Sequence, residues 1–326
     1  MMKRREFIRL CGAMAVIPLT ARAQEAGRLY RIGFFGPAQT SPPAVAFYRA
    51  FLAQMQEHGF QEGRSLQINF RALEDPRGFS INAEELVRAR PELIVVTGPA
   101  DALKSMLATN PSIPIVIVAV NYDPIAAGYV KSLSRPGGSI TGVVFQQLEL
   151  AQKQLELLTQ AFPGRTRVAI LFEPASADQM RAAERVAKAL KLEVQPLKLE
   201  GPSYDFDAAL SAAAANAQMV LVLSGPGWAQ HRSRIAELAI QHRLPTMFIA
   251  RHYVEAGGLI SYGVDFPGMF RKAADYVAKI LNGEKPANLP VEQATKFETV
   301  VNLRTAKAIG IELPMSILLR ADEVIE

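Results

Sequence analysis

The residues able to make or break bonds are few, and their spacing does not suit that work. Four histidines, His58, His231, His242 and His252, are scattered along the chain of 326 residues. His231 and His242 fall on one expected helix but lie too far apart to share a metal. Neither H-E-x-x-H nor G-x-x-x-x-G-K-[ST] occurs, so zinc-protease and phosphate-loop chemistry have no carrier. Ser139 follows Gly138, but Thr141 stands where a nucleophile elbow needs its second glycine, and the segment leads into a strand. Ser224-Gly225-Pro226-Gly227-Trp228 follows an apolar strand and opens a helix. Gln230 replaces the last glycine of a dinucleotide fingerprint, and Pro226 lacks a backbone donor. That loop reads equally as a ligand-facing turn or a plain tight turn. The one cysteine, Cys11, sits near the N-terminus, so the rest of the chain builds no disulfide and no thiolate metal site. The expectation is no catalytic residue, no metal and no cofactor.

What remains is a chemistry of holding. Short β-rich runs alternate with helical stretches. Strands are expected at residues 30–35, 66–71, 93–97, 115–120 and 140–144, with helices at 44–58, 81–89 and 100–109 between them. The order then restarts. A helix at 148–162 keeps Leu148, Ala151, Leu155, Leu158 and Phe162 on one face, and Pro163-Gly164 ends it. Strands at 167–172, 193–198, 219–223, 246–249 and 258–262 alternate with helices at 176–190, 205–215, 228–242 and 267–281.

Repeated strand–helix–strand units imply parallel sheets with helices on both faces. One continuous sheet would need about ten strands, near the practical limit. The expected fold is therefore α/β, with two doubly wound parallel-sheet lobes joined by a hinge. Residues 28–145 with about 264–285 form the N-terminal lobe and 146–263 the C-terminal lobe, and the tail 286–326 crosses back over the hinge.

Open α/β sheets bind ligands at the carboxyl ends of their strands. That rule selects Thr40 and Ser41; Thr97, Gly98 and Pro99; Asn121, Tyr122 and Asp123; Gln146 and Gln147; Ser176; Ser224 and Trp228; Tyr253; and Asp265. Hydroxyls and amides near helix starts suit an anion. Tyr122, Trp228, Tyr253 and Phe145 offer flat faces, or else pack inside one lobe. Asp123 and Asp265 are acids for an ammonium, although Asp123 before Pro124 also suits a turn or cap.

The formal net charge is +5, but most of it sits in the first 23 residues, on Lys3, Arg4, Arg5, Arg9 and Arg22. No basic stripe for nucleic acid is left on the folded part. Residues 1–23 read as a cleaved export signal: a charged start, an apolar stretch too short for the roughly 20 residues of a membrane span, and Ala21-Arg22-Ala23 before the cut. Arg4-Arg5 followed by Glu-Phe-Ile is similar to the twin-arginine signal. The expected location is the periplasm, with cleavage near Ala23.

From Arg31 to Glu326 the chain resembles the ABC transporter substrate-binding proteins whose better-known members bind tryptophan and other aromatic amino acids. The resemblance rests on Arg31-Ile32-Gly33, Asp123-Pro124, Ser134-Arg135-Pro136-Gly137-Gly138 with Thr141-Gly142, His231-Arg232, and Glu255-Ala256-Gly257-Gly258-Leu259 before Ser261-Tyr262-Gly263. It continues through Leu289-Pro290-Val291-Glu292-Gln293, Thr295-Lys296-Phe297-Glu298, Val301-Asn302-Leu303, Thr305-Ala306-Lys307 and the closing Arg320-Ala321-Asp322-Glu323-Val324-Ile325. Glu173-Pro174 stands where the family often has Asn-Pro, and Tyr122 where it often has glycine. The resemblance implies a type I periplasmic-binding-protein fold. It also implies capture of a small solute for hand-over to an ABC permease in the inner membrane. The hydroxyls, amides, rings and acids of the loops favour an amino acid or aromatic carboxylate ahead of a sugar, and the chain is expected to be a monomer. A receptor serving a signalling kinase and a periplasmic enzyme exported folded are the alternatives; a DNA-binding repressor would need a helix-turn-helix head.

Overall fold

The runs Leu93–Gly98 and Ile115–Ala119 are apolar almost throughout, and a strand of that kind is stable only when both its faces are covered. The computed structural model describes residues 28–326 except 41, 74–75, 110–111, 146, 202 and 226–227, and it covers both faces. The first half runs β1 (Tyr30–Gly36), α1 (Pro42–Glu57), β2 (Leu66–Ala72), α2 (Phe79–Arg88), β3 (Leu93–Gly98), α3 (Ala100–Thr109), β4 (Ile115–Ala119) and β5 (Ile140–Val144). Alternate residues of β3 serve opposite cores. Leu93 and Val95 pack with α1, while Ile94 and Val96 pack with α2 and α3.

The second half runs α4 (Gln147–Ala161), β6 (Arg167–Phe172), α5 (Ala177–Ala189), β7 (Glu193–Lys198), α6 (Phe206–Asn216), β8 (Met219–Val222), α7 (Arg232–Gln241), β9 (Thr246–Phe248), α8 (Arg251–Glu255) and β10 (Ile260–Val264). It closes with α9 (Phe266–Leu281), β11 (Val291–Gln293), β12 (Phe297–Asn302), α10 (Leu303–Ile309), α11 (Met315–Leu318) and β13 (Glu323–Ile325).

These strands make two sheets, and each sheet with its helices is one lobe. The first has the order β11-β5-β4-β3-β1-β2, the second β13-β12-β10-β9-β8-β6-β7. All pairings are parallel except β10 with β12. Residues 251–253, expected as loop, open the short helix α8 instead. The tail is more than a crossing. It adds β11 to the first sheet and β12 and β13 to the second, while α9 buries Met269, Phe270, Ala273, Tyr276 and Val277 against the first lobe.

The chain passes between the sheets after β5, after β10 and after β11. The last two passages are tied together. Asp265 caps α9 through the Gly268 amide at 2.8 Å. Its amide donates to the Lys296 carbonyl at 3.2 Å, and its carboxylate accepts from Lys296 Nζ at 3.0 Å and Arg271 at 3.2 Å. Those donors outweigh burial and hold the Asp265 carboxyl below its usual range. No helix among the described residues is long and apolar enough to cross a membrane.

Candidate functional site

The carboxyl ends of β1, β3 and β4 open onto a cavity of about 370 Å³ between the lobes. Thr97, Gly98 and Pro99 form one wall, with Ala100 and Asp101 at the start of α3. Gly98 has φ +92°, a conformation in which a side chain is strained. Thr97 is almost fully buried and donates its hydroxyl to the Phe35 carbonyl at 3.3 Å. The Ala102 amide donates to the Pro99 carbonyl at 3.1 Å, which leaves the Ala100 and Asp101 amides without an intrahelical acceptor, and the dipole there favours an anion.

The opposite wall is aromatic. Phe47 on α1 lies against Phe266 and Phe270 of α9, with ring centroids 5.4 and 5.5 Å away. All three rings line the cavity, and a flat apolar group fits such a wall.

Asn121, just after β4, has φ 64°, a left-handed geometry that asparagine tolerates better than most residues. Its Nδ2 donates to Ser224 Oγ of the other lobe at 3.1 Å, while its Oδ1 is buried without a partner. The Ser224 amide in turn donates to Gln179 Oε1 at 3.3 Å. Asn121 and Ala175 also line a second cavity of about 730 Å³, where Tyr122 and Asp123 lie. Burial, with the Tyr129 ring beside it, pushes the Tyr122 hydroxyl pKa up. Asp123 Oδ1 accepts from the Ile125 and Ala126 amides at 2.8 and 3.3 Å, the turn role allowed by its place before proline.

Of the residues selected in sequence, Thr97, Gly98, Pro99, Asn121 and Ser224 meet at the first cavity, and Asn121, Tyr122 and Asp123 at the second. Phe145 also lines the second cavity, while Trp228, Tyr253, Asp265, Ser176 and Thr40 are placed otherwise. Trp228 is fully buried in the second lobe, edge-on to Phe206 at 5.7 Å and Tyr204 at 6.1 Å. Tyr253 is buried and stacked on Phe248 at 5.1 Å. The turns that start α7 and α8 fold both rings back over the sheet, so packing takes the place of ligand contact. Asp265 is occupied by its cap and ion pairs. Ser176 is fully buried, its hydroxyl donating to the Glu173 carbonyl at 3.1 Å. Thr40 is exposed in a turn and Gln147 begins α4, while Ser41 and Gln146 lie outside the described residues. Among the described residues no group of three or more His, Cys, Asp or Glu is placed to hold a metal.

Sequence reasoning missed Phe47, Phe266 and Phe270. Their signal was position, since a helix start after a strand end faces the same crevice as the loop before it. It also missed His252, whose ring lies 6.2 Å from Phe47 across the cleft and 4.7 Å from Tyr253. Burial, reinforced by the Arg232 guanidinium, pushes His252 down to about 4. Its folded pKa lies below the unfolded value near 6.5, so the stability of the neutral ring is complete above about pH 6.5 and is lost as pH falls towards 4. Acidification from pH 7 to 4.5 is expected to cost the protein about 2–3 kcal/mol more than it costs His252→Gln. Denaturant titrations at both pH values measure the difference, and equal losses would disprove it.

A family model described as ABC transporter substrate binding protein matches residues 41–325. A tyrosine-binding protein of Clostridioides difficile strain R20291 is 24% identical over 269 residues, 81% of this chain and 76% of the relative. Among solved structures, a conserved domain protein from Vibrio cholerae O1 biovar El Tor superposes with TM-score 0.82 at 24% identity, covering 91% of this chain and 100% of the other. The ABC domain from Streptococcus pneumoniae in complex with L-Trp superposes with TM-score 0.81, also at 24% identity, covering 91% and 100%.

Proposed function

The chain belongs to the ABC transporter substrate-binding protein family, and from that premise we propose that it captures an aromatic amino acid, or a related aromatic acid, between its two lobes. Proteins of this family bind small solutes and deliver them to ABC permeases; their role is binding rather than catalysis. The observation that carries the reading is the cavity of about 370 Å³ at the strand ends, walled by Phe47, Phe266 and Phe270 on one side and by Thr97, Gly98 and the start of α3 on the other. The rings take the flat group and the α3 amides the carboxylate. Asp101, exposed at the same helix start, takes the ammonium. Asn121 and Ser224 reach the site from opposite lobes, so a solute held there stabilises the closed arrangement by its differential affinity for it. The likeness to a tyrosine-binding protein and to a structure holding L-Trp supports the same class.

The proposal includes export to the periplasm through residues 1–23, which lie outside the described residues, and hand-over as a monomer to a permease in the inner membrane. Calorimetry and thermal shift on a panel of aromatic amino acids, aromatic acids and sugars test the solute. A true ligand stabilises by about 2.7 kcal/mol at a hundredfold excess over its dissociation constant. Tight binding of a neutral sugar, with no heat from any carboxylate, would overturn the assignment.

A further inference from the structure

On the far side of the Asn121–Ser224 bridge lies the larger cavity, of about 730 Å³, inside the size range of small-molecule sites. The first lobe supplies the segment 121–127 and Phe145, the second α4 and the start of α5. Two features set it apart from the cleft. The first is apolar surface left facing water. Ile125 of one lobe and Leu148 of the other are 42% and 45% exposed, and both line this cavity. A ligand with an apolar body would cover them together.

The second is the sign of its charge. Asp123, Glu149 and Asp178 line it against one cation, Arg185. Asp178 is shared with Arg181, and Asp123 gives only Oδ1 to the turn amides, which leaves Oδ2 as an open acceptor. Carboxylates around an apolar hollow select a ligand that brings N–H groups and positive charge, and they repel a carboxylate.

We propose that this cavity is a second binding site, distinct from the solute cleft, for a small organic amine that has an apolar body and no carboxylate. The amine sits towards Asp123, and the body lies between Ile125 and Leu148. The site does not depend on which solute fills the cleft.

Calorimetry with 2-phenylethylamine tests it, with 3-phenylpropionate as the charge-reversed counterpart. The amine is expected to bind the wild-type protein and Ala100→Trp, which fills the cleft, within twofold of each other. Leu148→Lys, a change at an exposed position, is expected to weaken the amine at least tenfold. Asp123→Asn, which keeps the turn acceptor, is expected to weaken it at least fivefold. Melting temperatures and circular dichroism check that both variants fold. Added salt is expected to lower the affinity for the amine, and 3-phenylpropionate is expected to give no heat in Ala100→Trp. No heat from millimolar amine would overturn the proposal, as would equal binding of acid and amine in Ala100→Trp. So would loss of the amine in Ala100→Trp with no response to Leu148→Lys, which would place the amine in the cleft. None of these outcomes depends on whether the cleft takes an aromatic amino acid.

Discussion

Replacing Ala100 by tryptophan is expected to weaken capture of the cleft solute at least a hundredfold, while the protein melts as a folded chain. Ala100 opens α3 and lines the cavity of about 370 Å³ without being fully buried. An indole there has room to form without disturbing the sheet, and it takes the volume that the solute needs. It also covers the start of α3, where the carboxylate is held. A hundredfold loss is about 2.7 kcal/mol. Ala127→Trp is the matched control, since Ala127 lines only the larger cavity and its variant should keep the affinity for the solute. Calorimetry with the best ligand of the panel reads both. Unchanged affinity in Ala100→Trp would remove the cleft as the solute site.

The largest expected loss of stability comes from one methyl group. Gly263 lies in β10, between β9 and β12 in the second sheet. A Cβ there would stand 1.6 Å from the Ile249 carbonyl oxygen and 2.7 Å from its carbon. The obstacle is backbone, just past the end of β9, so no side chain can swing aside. Gly263→Ala is expected to cost at least about 3–5 kcal/mol, the upper end for single substitutions, and to lower yield before it affects binding. Gly138→Ala, where an added Cβ meets nothing within 4 Å, should change stability by less than about 0.5 kcal/mol. Denaturant midpoints of the two variants measure the contrast. Equal midpoints would mean that β10 shifts to admit the methyl.

Where the burial of a segment could be read from its own residues, the sequence revealed the element. Ile115–Ala119 is buried on both faces and could be little but an inner strand. Helix α3 fell at its predicted bounds, since it opens directly after the apolar strand β3. By contrast, β11 has three residues and exists because Val291 pairs with Gly142, far back in the chain. No local pattern announces such a partner. β12 mixes exposed, half-buried and buried residues and pairs antiparallel with β10, so it lacked the apolar run that betrayed the others.

The site divided in the same way. Thr97, Gly98 and Asn121 came from topology, which fixes where strand ends point. Trp228 and Tyr253 could be read either as ligand faces or as packing inside one lobe, because topology fixes where a loop starts but not the turn of the helix after it, and that turn decides whether a ring faces solvent or sheet. Phe47 packs against the core of the first lobe, but at the helix end nearest the strand tips the same packing becomes a wall of the cleft.

The passages between the sheets also set a schedule for synthesis. The first lobe draws Met269, Tyr276 and Val277 of α9 into its core, and its edge strand is residues 291–293. The second draws in Val301, Ala306, Ile309 and Ile317. A nascent chain of 260 residues would therefore hold two unfinished hydrophobic faces, each waiting for residues not yet made. Neither half can reach its final packing before residues 264–325 have left the ribosome. Both are completed by that same stretch of polypeptide, so the two lobes finish folding together rather than one after the other.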